Sequence, residues 1–152
     1  MAHLSLSIQL APDAGESPAD RRQLRRWAHA ALSCDAVLTL RLVGADEARA
    51  LNAQFRARDY ATNVLTFAYD DDADDVTAHG PLQADIVICL PVVAREAREQ
   101  GKSVRDHLAH LIVHGVLHAQ GMDHEIPAQA QAMEDLEIAL LRRFRIGNPY
   151  QP

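Results

Sequence analysis

One stretch of this chain leaves little freedom in how its surroundings can fold: His114-Gly-Val-Leu-His118-Ala-Gln-Gly121-Met-Asp123-His124. A helix here places His114 and His118 one turn apart on the same face, where their imidazoles converge. Gly121 falls where such a helix can stop, because a residue without a Cβ enters the left-handed conformation cheaply. The chain can then fold back and deliver His124 as a third donor. Three neutral nitrogens around a borderline-soft divalent cation leave a tetrahedral site one ligand short, which distinguishes a catalytic zinc site from a closed structural one. A water in that position would have its pKa lowered to roughly 7. An i,i+4 histidine pair alone is compatible with ordinary surface or core residues. With Gly121 and His124 added, H-x-x-x-H-x-x-G-x-x-H matches the ligand pattern of known zinc hydrolases. The prediction is one zinc ion per chain, held by His114, His118 and His124.

Two further histidines share nearly the same helical face. His107 would lie about 10 Å along the axis from His114, too far to share its ion. His110 is one turn away and could approach the site, with plain packing as the alternative. His3, His29 and His79 show no grouping. Metalloproteases of the H-E-x-x-H type carry a glutamate general base after the first histidine. Gly115 stands there instead, so peptide hydrolysis by that route lacks its proton acceptor.

At 152 residues the chain is expected to form one domain, residues 1–152, with a core that needs no staples. Cys34 and Cys89 lie in apolar surroundings and suggest no disulfide framework. With no leader-like segment at the start, they are expected as buried thiols in a reducing cytoplasm. The longest apolar runs, around 86–93 and 108–117, are too short or interrupted to span a bilayer. A net charge of −6 argues against wholesale polyanion binding but leaves room for a local basic groove. Much of the acidity sits in Asp70-Asp71-Asp72-Ala73-Asp74-Asp75, read as a solvated loop because it lacks the spacing of a calcium loop. Arginines cluster at 21–26, 56–58, 95–105 and 142–145.

Residues 3–10 alternate, with Leu4, Leu6, Ile8 and Leu10 on one side, and predict a half-buried strand. Ser17-Pro18 supplies a cap and first-turn proline for a helix to about Leu32. Residues 36–43 alternate as a second strand, a helix runs from Asp46 to about Phe55, and Asn63–Phe67 gives a third strand. The apolar run Asp85–Leu90 reads as a central strand. Pro91 opens a helix that Gly101 closes, Ser103 caps the histidine helix, and Pro127 opens a last helix to about Arg145. Strands and helices alternate, so the predicted class is α+β (mixed α/β), a mixed sheet with helices packed on it.

Three blocks together resemble the YbeY family of bacterial endoribonucleases and rRNA maturation factors. The histidine stretch matches the signature H-G-x-L-H-x-x-G-x-D-H. Leu51-Asn52-Ala-Gln-Phe55-Arg56-Ala-Arg58-Asp59, followed by Thr62-Asn63-Val64-Leu65-Thr66-Phe67, forms the second block. Asp85-Ile86-Val87-Ile88-Cys89, running into Glu96-Ala97 and Glu99-Gln100-Gly101, forms the third. The blocks cover roughly residues 45–145. The resemblance implies a compact domain with a mixed four-stranded sheet and a zincin-like metal-binding helix. It also implies a zinc-dependent endoribonuclease that cuts single-stranded RNA in 16S rRNA 3′-end maturation and ribosome quality control. Its partners would be an rRNA precursor and the small ribosomal subunit or its proteins; the molecule would be a cytoplasmic monomer with no membrane contact. The family's zinc ligands carry over to His114, His118 and His124, and its functional arginine to Arg56. The chain departs from the family pattern at Ala61 and Ala68, where prolines are common, at Thr66 for a serine and at Ala84 for a glycine.

Chemically, three histidines leave the ion its full charge, which suits an anionic substrate. Arg56 adds a planar fork that can grip phosphate in two places. Its alternative role is a salt bridge with a neighbour such as Asp59. Arg58 is a secondary phosphate contact or a surface charge. Asp123 orients a histidine or caps the turn. Asn63 and Thr66 touch substrate or serve the turn and the strand end. The general base is left open between a water on the metal, the RNA 2′-hydroxyl and His110. Two other functions compete: a ribosome-assembly factor with a mainly structural zinc, and a metallohydrolase of a peptide or small substrate.

Overall fold

The computed structural model describes residues 2–69, 80–122 and 125–151. Strand β1 (Leu4–Leu10) leads through a 3-10 turn (Pro12–Ala14) to helix α1 (Arg21–Ala30) and strand β2 (Ala36–Val43). Helix α2 (Ala45–Arg56), strands β3 (Val64–Ala68) and β4 (Leu82–Cys89), and helices α3 (Leu90–Gln100), α4 (Val104–Ala119) and α5 (Pro127–Arg142) complete the order. The expected α+β class with a mixed four-stranded sheet is what the chain adopts. The strand order is β1-β2-β4-β3, parallel through the first three, with β3 antiparallel on the edge against β4.

The two middle strands read as apolar because both their faces are covered. Leu38, Leu40 and Leu42 of β2 stand opposite Ala84, Ile86 and Ile88 of β4, all nearly inaccessible. β1 keeps the expected alternation, but as an edge strand it leaves Leu10 exposed. Ala84, at the glycine position of the family pattern, pairs in regular register with Ala68, so its Cβ fits the sheet without a break.

Helix α4 is apolar nearly all round, as a helix buried between layers must be. It packs against β3 and β4 on one side and against α1, α3 and α5 on the others. Leu108, Ile112, Val113 and Val116 are fully buried; each large aliphatic side chain so placed stabilises the fold by about 1.5–3 kcal/mol. The Ser103 hydroxyl caps its start by accepting from the Asp106 N–H at 3.0 Å, and Gly121 follows its end at φ +98°.

Three expectations need correction. Helix α1 starts at Arg21, not at Ser17-Pro18: Asp20 and Gln23 form a capping box in which each side chain bonds the other's backbone N–H. Helix α5 ends at Arg142; the chain leaves it through a turn in which Arg145 takes φ +61°. Cys34 is exposed rather than buried, while Cys89 is buried as expected. The Asp70–Asp75 run, His79, Asp123 and His124 lie outside the described residues.

Candidate metal centre and substrate cleft

The histidine helix delivers its pair as the spacing requires. The rings of His114 and His118 lie parallel, 1° apart in plane, with centroids separated by 6.5 Å. Each is held from behind through Nδ1. His114 Nδ1 meets Glu137 Oε1 at 2.6 Å, and His118 Nδ1 meets the Met122 carbonyl at 3.1 Å. With Nδ1–H donated to an oxygen, the Nε2 lone pair is the one able to coordinate, and the ring orientation is fixed. The donor set therefore fits a divalent ion.

Glu137 was not anticipated. It comes from α5, has no exposed surface, and is surrounded by hydrogen-bond partners. Besides His114 it binds His110 Nε2 at 3.0 Å and the Tyr150 hydroxyl. Burial alone would raise its carboxyl pKa; the bonds from His110, His114 and Tyr150 outweigh that and hold it at about 2. Tyr150 is pushed the opposite way, well above its ordinary value, by burial and by the adjacent carboxylate. One signal in the sequence could have revealed Glu137. It sits at i+4 from Met133 and three and four residues before Leu140 and Leu141, a charge on the buried stripe of α5. His110, His114 and Glu137 also form a group whose ligand atoms lie within 4.8 Å of one another, and such a group could hold a metal ion.

His107 is separate, as the axial distance implied. Its Nε2 meets Glu96 Oε1 at 2.9 Å, and burial pushes the imidazole below its ordinary pKa despite that carboxylate. Glu96 also accepts from Asn63 Nδ2 at 3.0 Å, while Asn63 Oδ1 caps the Val64 N–H at 2.7 Å. Asn63 thus ties the start of β3 to α3. Thr66 lies under α4, its hydroxyl 3.5 Å from where a Cβ on Gly115 would stand.

The two histidines open onto a cleft of about 300 Å³ between α4, the end of α2 and edge strand β3. Arg56, Arg58, Tyr60 and Glu125 complete its rim. Helix α2 ends with Ala57 at φ +55°, which reverses the chain directly after Arg56. Buried Asn52 then fastens the returning loop through Nδ2 to the Tyr60 carbonyl at 2.9 Å. Arg56 is exposed and reaches the Thr66 carbonyl at 3.4 Å. The salt bridge weighed for it does not form: Asp59 pairs with Arg49 at 2.7 Å and 3.0 Å. A second cavity, about 350 Å³, lies on the other side of His114, lined by His107, His110, Lys102 and Tyr150.

Residues 15–145 match the family model described as endoribonuclease YbeY. This chain belongs to the endoribonuclease YbeY family. Curated members named endoribonuclease YbeY include one from Azoarcus sp. (strain BH72), 53% identical over 97% of this chain and 60% of its own length. One from Thiobacillus denitrificans is 52% identical over 97% of this chain and 96% of its own. Another, from Methylibium petroleiphilum, is 50% identical over 97% of this chain and 94% of its own. This chain thus spans 60% of the Azoarcus relative and nearly all of the other two. The solution structure of TM1509 from Thermotoga maritima shares the fold, with TM-score 0.55 at 24% identity over 97% of this chain and 99% of that one.

Proposed function

We propose that this YbeY-family chain, as a single domain, is a zinc-dependent endoribonuclease that cuts single-stranded RNA, with His114, His118 and His124 as the zinc ligands. One juxtaposition supports this most: Arg56 and the paired histidines open onto the same cleft, and Arg56 makes no ion pair among the described residues. In this reading Glu137 and the Met122 carbonyl orient His114 and His118 and are not themselves ligands. The 2.6 Å contact of Glu137 with His114 is a hydrogen-bond distance, too short for an ion with ligands at about 2.0–2.2 Å to sit comfortably between them. When bound, zinc supplies Lewis acidity that stabilises charge on a phosphate oxygen.

The chain's own residues bind and position the strand. Arg56 grips a phosphate through its fork, with Arg58 as a weaker neighbour. Tyr60 and Phe55 are both exposed, and Phe55 is set edge-on against Phe67 with centroids 5.1 Å apart. Such faces offer stacking to unpaired bases, which a duplex cannot supply. The expected substrate is the 3′-extended small-subunit rRNA precursor, met in the cytoplasm by a monomer. No described helix is long and apolar enough to cross a membrane.

Gly115 speaks against peptide hydrolysis: a Cβ there would stand 3.0 Å from Ile86 Cγ2, so α4 lies too close to the sheet for a glutamate. Chelation separates the nuclease from an assembly factor with structural zinc. Loss of cleavage of the rRNA precursor with a small drop in melting temperature supports the nuclease. A collapse of the fold with cleavage absent throughout favours the assembly factor, and casein cleavage would revive the peptidase.

A further inference from the structure

On the far side of α4 from the histidines lies a groove of about 200 Å³ lined by Arg26, Arg105, Arg143 and Arg145 around Phe144. Among the described residues no carboxylate lines it, and none of the four arginines makes an ion pair. In a chain of net charge −6, four guanidiniums around one groove make a local positive patch that attracts anions. Two details show the groove is arranged. Arg26 lies over the Phe144 ring, 5.4 Å from its centroid, a cation–π contact that holds its guanidinium at the groove. Arg145 sits at φ +61°, a conformation that glycine adopts without strain and a side chain does not. The turn after α5 nevertheless carries a guanidinium at that point.

We propose that this groove binds the phosphate backbone of a structured RNA, at a site separate from the cutting cleft. Arg105 and His114 are nine residues apart on α4, two and a half turns, so they face opposite ways and lie about 14 Å apart along the axis. Adjacent nucleotides of one strand cannot occupy both places. An RNA that fills both places must extend around the protein, and a helical or folded part of a larger molecule seated in the groove can present a single-stranded segment to the cleft. A protein partner fits less well. Besides half-buried Phe144, no large apolar side chain among the described residues that is not fully buried lines this groove, whereas a protein interface would add apolar core contacts to its arginines. Guanidinium forks match phosphate oxygens in pairs. The proposal rests on the reading that the chain handles RNA, not on the cutting chemistry.

The test uses the full chain carrying Arg105→Gln, Arg143→Gln and Arg145→Gln together, all three exposed positions. The probes are an RNA hairpin of about 20 base pairs with a single-stranded 3′ tail, a six-nucleotide single strand, and polyglutamate. The triple variant should bind the tailed hairpin at least about ten-fold more weakly at 0.1 M salt. The slope of log affinity against log salt should fall in magnitude by about 2–3 for three lost phosphate contacts. Cleavage of the six-nucleotide strand should stay within about two-fold of wild type, which also shows the variant is folded. Equal hairpin affinity and slope would overturn the proposal, as would an equal loss on the short strand. Polyglutamate binding lost in the variant while hairpin binding persists would assign the groove to an acidic protein instead. If wild type cuts neither RNA but hairpin affinity still depends on the three arginines, the groove stands and the nuclease reading fails.

Discussion

Replacing Gly115 with alanine puts two opposing effects of known size against each other. In an isolated helix, Gly→Ala stabilises by about 0.8–1.0 kcal/mol. Here the added Cβ would stand 3.0 Å from Ile86 Cγ2, 3.5 Å from Thr66 Oγ1 and 3.6 Å from Val64 Cγ2. Carbon atoms prefer about 3.5–4.0 Å, so the first contact is repulsive. Ile86 cannot swing aside: it is 2% exposed and paired in the sheet with Leu40 on one side and Thr66 on the other. Overpacking a closed core costs about 1–3 kcal/mol. The contact outweighs the propensity, and Gly115→Ala should destabilise by about 1 kcal/mol, read as a lower urea midpoint at unchanged slope. Gly115→Glu, which restores the metalloprotease pattern, should cost several kcal/mol because it also buries an unpartnered carboxylate. A stabilisation of about 1 kcal/mol in Gly115→Ala, as propensity alone requires, would show that α4 does not press on the sheet here.

Glu137→Gln keeps the shape of the side chain but removes the charge that holds His114. Zinc affinity, measured by competition with a chelator, should fall about 10–100-fold; an unchanged affinity would mean the carboxylate only fills space. The pH dependence of stability should carry a signature of His107. Its folded pKa is depressed, by burial first, so the unfolded chain takes up the proton before the folded one as pH falls. Stability on its account is therefore full above the unfolded value of about 6.5 and declines below it. His107→Gln should flatten that decline relative to wild type below about pH 6.5, and parallel curves would contradict the assignment.

Signals carried by local chemistry were legible in the sequence. Alternation located β1 and β2, an apolar run located β4, and Pro91, Gly101 and Ser103 marked the ends of α3 and the start of α4. The i,i+4 histidines and Gly121 marked the shared face of the histidine pair and the end of its helix. Ser17-Pro18 and Asp20-x-x-Gln23 both read as caps, three residues apart, and the structure uses the second. The strand order β1-β2-β4-β3 depends on pairings across tens of residues and has no local mark. The roles of Glu137 and Tyr150 had no local mark for the same reason, since their partners His110 and His114 lie at least 23 residues away in sequence; only the charge of Glu137 on the buried stripe of α5 pointed to it. The partner of Asp59 was likewise a matter of tertiary placement, since Arg49 and Arg56 are both within reach along the chain.

The most direct test is a single assay on three proteins, wild type, Arg56→Ala and His118→Ala, with zinc content and cleavage of the 3′-extended rRNA precursor measured on the same samples. Zinc held by the histidines and phosphate gripped by Arg56 predict that wild type cuts, His118→Ala loses both zinc and cleavage, and Arg56→Ala keeps its zinc but cuts at least about 100-fold more slowly, as for a lost charge-stabilising donor. Full zinc occupancy in His118→Ala, or undiminished cleavage by Arg56→Ala, would contradict it.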